Sequence, residues 1–172
     1  MLQEQLDYIS RHCVANALTI AVAESVTAGY LQVSFSRATG ATQFFQGGIT
    51  AYNIGQKVKH LQVERIHAQS HNAVSPQVAV QMALGACTLF NCNVGIAVTG
   101  YAAPVPELGI LELFAYYAIT LKGEVMAARK IKPAAKEPEQ VMQEYAQQII
   151  EDCYQCFKTN KPIQVNDLLI KK

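Results

Sequence analysis

The run Leu18-Thr19-Ile20-Ala21-Val22-Ala23 lacks the alternation of a half-solvated strand, and it stops abruptly at Glu24-Ser25-Val26-Thr27. An apolar, partly β-branched stretch of this length reads as a strand buried on both faces, the kind found in parallel sheets covered by helices. The polar cluster after it predicts a turn into a helix from Thr27 to Ala38, with Leu31, Phe35 and Ala38 on one side. In open α/β sheets, ligands bind just beyond the carboxyl ends of such strands. The N–H groups of the following helix make that spot receptive to anions. Ser25 therefore has two readings: a helix cap, a role Thr27 also suits, or a nucleophile displayed at a strand end.

The remaining segments follow the same alternation of strand and helix. Leu2, Leu6, Ile9, Cys13 and Val14 fall at helical spacing over residues 2–17. Phe44 to Tyr52 reads as a strand in which Gly47-Gly48 marks a bulge or a close approach by ligand or backbone. Asn53 to Leu61 is a short helix carrying Lys57 and Lys59, and Gln62 to Ala73 a polar connector. Ser75-Pro76 starts a helix that runs to Phe90. A second buried strand, Asn93 to Val98, ends at Thr99-Gly100 much as the first ends at Glu24-Ser25. Tyr101 to Gly109 is a loop. Ile110 to Leu121 and Glu124 to Ile131 flank Lys122-Gly123 as a hairpin, and a last helix spans Lys136 to Phe157 with Pro138 in its first turn. The pattern predicts an α/β fold: a three-layer α/β/α sandwich with a mixed, mostly parallel sheet. A single domain covers residues 1–158, and residues 159–172 form a C-terminal extension, either a loose tail or a strap onto a neighbour.

Composition narrows the function. Hydrophobic residues make up 51% of the 172 and charged residues 16%, which excludes a disordered chain. The formal net charge of +1 gives no broad electrostatic footprint for nucleic acid, and the low charge suits a homo-oligomer. No apolar run reaches membrane-spanning length, and Met1-Leu2-Gln3-Glu4-Gln5 lacks signal-peptide character, so the expected location is cytoplasmic. Five cysteines, an odd number, do not suggest a disulfide framework. Cys153 and Cys156 form one C-x-x-C with no second ligand pair at suitable spacing, and His60, His67 and His71 form no metal-protease motif. No metal site is expected.

Three segments bring small polar residues to strand ends: Glu24-Ser25-Val26-Thr27, Gly48-Ile49-Thr50-Ala51-Tyr52 and Val98-Thr99-Gly100. Strand ends on one edge of a sheet can converge on a single pocket. A serine hydroxyl needs a base to become a nucleophile, and no histidine stands in a recognisable triad. Lys57, five residues beyond Tyr52, is the available base if it is desolvated enough to lose its proton near neutrality. Otherwise Lys57 and Lys59 are solvated surface charges.

These residues resemble the C-terminal domain of the CinA family of competence/damage-inducible proteins. The family's A-E-S-x-T-G-G is matched by Ala23-Glu24-Ser25-Val26-Thr27-Ala28-Gly29. Its G-x-S-x-x-F-x-G-G-x-x-x-Y-x-x-x-x-K is matched from Gly40 through Thr42, Phe45, Gly47, Gly48 and Tyr52 to Lys57. Asn72-Ala73-Val74-Ser75 answers to G-A-V-S, and Ala97-Val98-Thr99-Gly100-Tyr101-Ala102-Ala103-Pro104 to A-V-T-G-x-A-G-P. The resemblance implies an α/β/α sandwich, often oligomeric. It also implies a nicotinamide-nucleotide amidase that converts nicotinamide mononucleotide (NMN) to nicotinate mononucleotide and ammonia in the pyridine nucleotide cycle. By the same resemblance Ser25 attacks the amide carbon, Lys57 takes its proton and Tyr52 tunes or relays it. Glu24, Thr27, Thr42, Gly47, Gly48, Thr99, Gly100 and Lys136 fall to substrate binding. The ligand is a small molecule, a pyridine mononucleotide. No metal or cofactor is required, and no nucleic acid or membrane partner is implied.

The departures lie on functional ground. Ala28 and Ala103 replace family glycines, Thr42 replaces a serine, and the glycine-rich loop after Pro104 is shortened to Val105-Pro106-Glu107-Leu108-Gly109-Ile110. A family G-x-R-x-x-x-R segment corresponds to Ala134-Ala135-Lys136-Glu137-Pro138-Glu139-Gln140, where Lys136 stands in for one arginine and Gln140 carries no charge. Two expectations follow. One is a divergent homologue whose NMN deamidase activity is lost or changed, with Ala28 or Tyr101 filling substrate space. The other is an active Ser/Lys amidohydrolase.

Overall fold

The computed structural model describes residues 1–163; the remainder of the expected extension, 164–172, lies outside the described residues. Five strands form one sheet: β1 (Ile20–Glu24), β2 (Phe45–Thr50), β3 (Val94–Gly100), β4 (Ala115–Leu121) and β5 (Glu124–Ile131). Their spatial order is β2-β1-β3-β4-β5. β1 pairs in parallel with both β2 and β3, whereas β3–β4 and β4–β5 are antiparallel. β5 therefore runs the same way as β3, and β4 alone is reversed. The sheet is mixed and mostly parallel, as the sequence pattern predicts.

Helices cover both faces. α1 (Leu2–Ala15), α2 (Tyr30–Ser36) and α6 (Pro138–Thr159) lie on one side, and α3 (Ile54–Leu61), α4 (Arg65–Ser70) and α5 (Pro76–Phe90) on the other. The first face packs Ile9, Leu31, Phe35, Tyr145 and Ile149 against Ile20, Val22, Ile96 and Tyr117. The second face is built from small residues: Ala79, Ala83 and Ala86 of α5 meet Ala21, Ala23, Ala97 and Ala118 of the sheet. Two glycines let the backbones approach there. A Cβ on Gly95 would lie 2.0 Å from the Ala83 carbonyl oxygen, and one on Gly85 would lie 2.2 Å from that of Leu61.

Three local differences from the sequence pattern have physical causes. The connector after Leu61 contains α4, capped by Glu64, whose carboxylate accepts from the Ile66 and His67 amides. α2 begins at Tyr30 rather than Thr27, because Ala28 (φ 47°) and Gly29 (φ 115°) both take left-handed conformations first. β4 begins at Ala115 rather than at Ile110, which is tied instead to Val105 across the preceding loop. The Gly47-Gly48 pair does sit at a bulge. Ile20 faces Phe45 but Ala21 faces Gly47, which leaves Gln46 as the extra residue. All five cysteines are free, with Cys153 and Cys156 buried in α6. Among the described residues no helix is long and apolar enough to cross a membrane.

Candidate active site

β1 lies between β2 and β3, and the chain leaves it toward α2 on one face and returns from β2 through α3–α5 on the other. This is the switch point at which an open α/β sheet forms a crevice. The alternation of side chains along β1 continues past its last residue. Glu24 turns to the α2 face and Ser25 to the α3 face, as neighbouring strand residues must. The Ser25 amide donates to the Val98 carbonyl at 3.1 Å, and the Ala51 amide to the Glu24 carbonyl at 2.8 Å, so the strand end is held from both sides.

Glu24 is fully buried and its carboxylate is committed to the turn that follows. It accepts from the Thr27 hydroxyl (2.5 Å) and from the amides of Gly29 (3.1 Å), Leu31 (3.0 Å) and Gln32 (2.9 Å). These amides belong to the first turn of α2, whose donors lack intrahelical acceptors. An acid from the preceding strand thus does the capping for which the sequence offered Ser25 or Thr27 as candidates. Ser25 is left free of that duty.

Ser25 Oγ instead meets Lys57. The Lys57 Nζ lies 2.8 Å from Ser25 Oγ and donates a longer bond of 3.4 Å to the Tyr52 carbonyl. Asn53 caps α3, its side chain accepting from the Gln56 amide at 3.0 Å, and so fixes the turn from which Lys57 projects. Lys57 is only 2% exposed. Burial disfavours the ammonium form and pulls its pKa from 10.5 down to about 8. A buried lysine with that pKa, bonded to a serine, can accept a proton near neutral pH.

The pair opens onto a cleft of about 770 Å³ whose lining includes Ser25, Val26, Tyr52, Lys57, Thr99 and Tyr101. The Thr99 hydroxyl donates to the Ala73 carbonyl (2.7 Å), pinning the Asn72–Ala73 wall to the end of β3. The Asn72 side chain donates in turn to the Tyr101 hydroxyl at 3.2 Å. Tyr52 is 72% exposed at the mouth, and it is its carbonyl, not its phenol, that bonds Lys57.

Of the residues the sequence singled out, Ser25, Tyr52, Lys57, Thr99 and Gly100 converge on this cleft. Glu24 and Thr27 lie buried behind it. Gly47 and Gly48 sit inside β2, where a Cβ would press on Phe90 and on Val22 and Gln32 respectively. Thr42 is in an exposed 3-10 turn before β2, at the far end of that strand from the cleft. Lys136 borders a separate depression with Pro104, Leu111 and Lys132. Ala28 does not line the cleft; Tyr101 forms part of its wall and leaves it open. Asn53, which the sequence marks only as the start of a short helix, also lines the cleft. Pro138 and Met142 of α6 also line it and carry no sequence signal for doing so. A second depression of about 730 Å³, between α1, β5 and α6, is lined by Arg129, Lys132, Glu144 and Glu151 and by no serine or cysteine. Among the described residues no group of three His, Cys, Asp or Glu side chains is arranged to hold a metal.

Residues 3–157 match the family model described as the CinA C-terminal domain. The chain belongs to the CinA C-terminal domain family. A CinA-like protein of Gemmatimonas aurantiaca is 36% identical over 124 residues, covering 70% of this chain and 28% of its own. One from Picosynechococcus is 44% identical over 86 residues, covering 50% and 20%. The chain thus spans less than a third of the length of these relatives. Among solved structures, a CinA superfamily protein of Klebsiella pneumoniae superposes with a TM-score of 0.85 at 22% identity, covering 92% of this chain and 99% of its own. A CinA superfamily protein of Escherichia coli gives 0.81 at 26% identity, covering 88% and 87%. The CinA fold is therefore shared over nearly the whole described chain.

Proposed function

We propose that this CinA-family chain is an amide hydrolase in which Ser25 is the nucleophile and Lys57 its base, acting on a primary carboxamide of the pyridine class. The carrying observation is the 2.8 Å contact between Lys57 Nζ and Ser25 Oγ, with the lysine buried and its pKa near 8. The neutral amine takes the Oγ proton as the oxygen attacks the amide carbon. The Val26 amide, next after the nucleophile and lining the cleft, is the candidate donor to the developing oxyanion. Lys57 then returns the proton to the departing nitrogen, which leaves as ammonia. Water, deprotonated by the same amine, cleaves the acyl-serine and yields the carboxylic acid. The open cleft favours this reading over a homologue whose site is filled.

The test is ammonia release from NMN and related carboxamides by the purified protein, with loss of release in Ser25→Ala and in Lys57→Ala. An acyl adduct on Ser25, seen by mass spectrometry after acid quenching of the unaltered protein during turnover, would add support. Folded protein that releases no ammonia from any of them at high enzyme concentration would overturn the proposal.

A further inference from the structure

Two cysteines meet where α5 hands over to β3. The helix closes in a left-handed turn: Asn91 takes φ 50°, and the Cys92 amide reaches back to the Cys87 carbonyl at 3.0 Å. In this C-terminal motif the first and last residues of the turn are drawn together and their side chains meet. A disulfide needs that approach. The two sulfurs also share a floor. Cys87 Sγ rests on the bare backbone of β3, where a Cβ on Gly95 would come within 2.8 Å of it, and lies 3.8 Å from the Thr120 hydroxyl. Cys92 Sγ donates to the carbonyl of the residue before Gly95, Val94, at 3.2 Å. Both residues are free thiols and half-buried.

Their surroundings divide the work between them. The Cys92 proton stabilises a thiolate on Cys87, which lowers the Cys87 pKa against the opposing effect of burial and raises that of Cys92. Cys13, Cys153 and Cys156 differ in kind. They are buried in the core on the other face of the sheet, and burial raises the pKa of each. Among the described residues no third His, Cys, Asp or Glu joins the pair to make a metal site.

We propose that Cys87 and Cys92 form a redox pair, closed to an intramolecular disulfide by a hydroperoxide and reopened by a thiol reductant. The Cys87 thiolate attacks the peroxide oxygen, the O–O bond breaks, and the departing oxygen takes a proton, which leaves a sulfenic acid on Cys87. The Cys92 sulfur then attacks the Cys87 sulfur. The S–S bond forms, the S–O bond breaks, and the hydroxide leaves as water with the Cys92 proton. Two thiols lose two electrons, and hydrogen peroxide becomes two molecules of water. The pair sits at the start of β3, whereas the Ser25–Lys57 cleft takes the end of that strand at Thr99 and Gly100. The proposal is therefore independent of the amidase reading.

The experiment treats the reduced full chain with micromolar hydrogen peroxide and follows intact mass. The mass should fall by two hydrogens and recover with dithiothreitol. Chymotrypsin cuts after Phe90, between the two cysteines, so the bond should appear as two peptides that separate on reduction. Cys92→Ser should stop the reaction at the sulfenic acid, trapped on Cys87 by dimedone, and Cys87→Ser should give neither disulfide nor adduct. The oxidised protein should unfold at higher urea than the reduced one, because the bond restricts the unfolded chain and the folded turn already holds the geometry. A lower midpoint would overturn the preformed geometry. Oxidation of Cys87 to the sulfinic acid beside an intact Cys92 thiol would overturn the pair. So would a bond between two copies of the chain, a bond to Cys13, Cys153 or Cys156, or no change in mass at millimolar peroxide.

Discussion

The two faces of the sheet are built to different scales. On the α1–α2–α6 side, β1 and β3 present Ile20, Val22 and Ile96 to Phe35, Leu31 and Ile149, and large side chains set the spacing. On the α5 side the same strands present Ala21, Ala23 and Ala97 to Ala79, Ala83 and Ala86, and the backbones nearly touch. Glu24 and Ser25 extend this contrast beyond the strand. The acid goes to the thick face and anchors a helix; the serine goes to the thin face, where α3 brings Lys57 within hydrogen-bond reach. Adjacent residues thus divide structure from chemistry because strand side chains alternate.

The division can be broken at several points. Ser25→Ala should lower turnover by about four orders of magnitude or more, as loss of a nucleophile does, with the unfolding midpoint nearly unchanged; steady-state ammonia assays beside a urea titration would read both. Glu24→Gln should show the opposite profile. Replacing a buried carboxylate that accepts five hydrogen bonds should cost about 3 kcal/mol of stability, measurable in urea. Gly95→Ala, on the thin face, should cost about 2–3 kcal/mol, because its methyl would fall on the Ala83 carbonyl. On the thick face Ile96→Val should cost only about 1 kcal/mol.

Two further predictions sharpen the contrast. In the proposed reaction the unprotonated lysine is the active form, so kcat/KM should rise about tenfold per pH unit below pH 8 and level off above it. Lys57→Met should abolish that limb. Its folded pKa is depressed, so the unfolded chain binds the extra proton between about 8 and 10.5, and stability should rise with pH across that window relative to the Met variant. The smallest effect belongs to Ala28→Gly. An alanine at φ 47° is strained by about 1 kcal/mol, and relieving it should raise stability by no more than that, without altering the cleft.

The strand that carries the site was legible because a continuous apolar run ending in Glu-Ser-x-Thr fits a buried strand feeding a helix and little else. Lys57 was legible as a base only by elimination of histidine, and its burial was not, since that depends on α5 closing over α3. The capping role of Glu24 was hidden for a related reason. Helix caps are sought just before a helix, and this one reaches Leu31 and Gln32 from seven and eight residues upstream. α4 was missed because its polar sequence has no apolar period and its cap is a glutamate. The placement of Pro138 and Met142 over the cleft is set by the path of α6, which local sequence does not encode.

Gly85 lies away from the cleft lining, yet its missing side chain lets α5 rest directly on the backbone of Leu61, at the end of the helix that bears Lys57. The distance between Ser25 and Lys57 is therefore gauged from behind, by the thickness of one interhelical seam. A single methyl group inserted there would act as a shim, tilting the lysine off its serine while every cleft residue kept its identity. The reactivity proposed for this pair is to that extent a mechanical property, tunable by spacing alone.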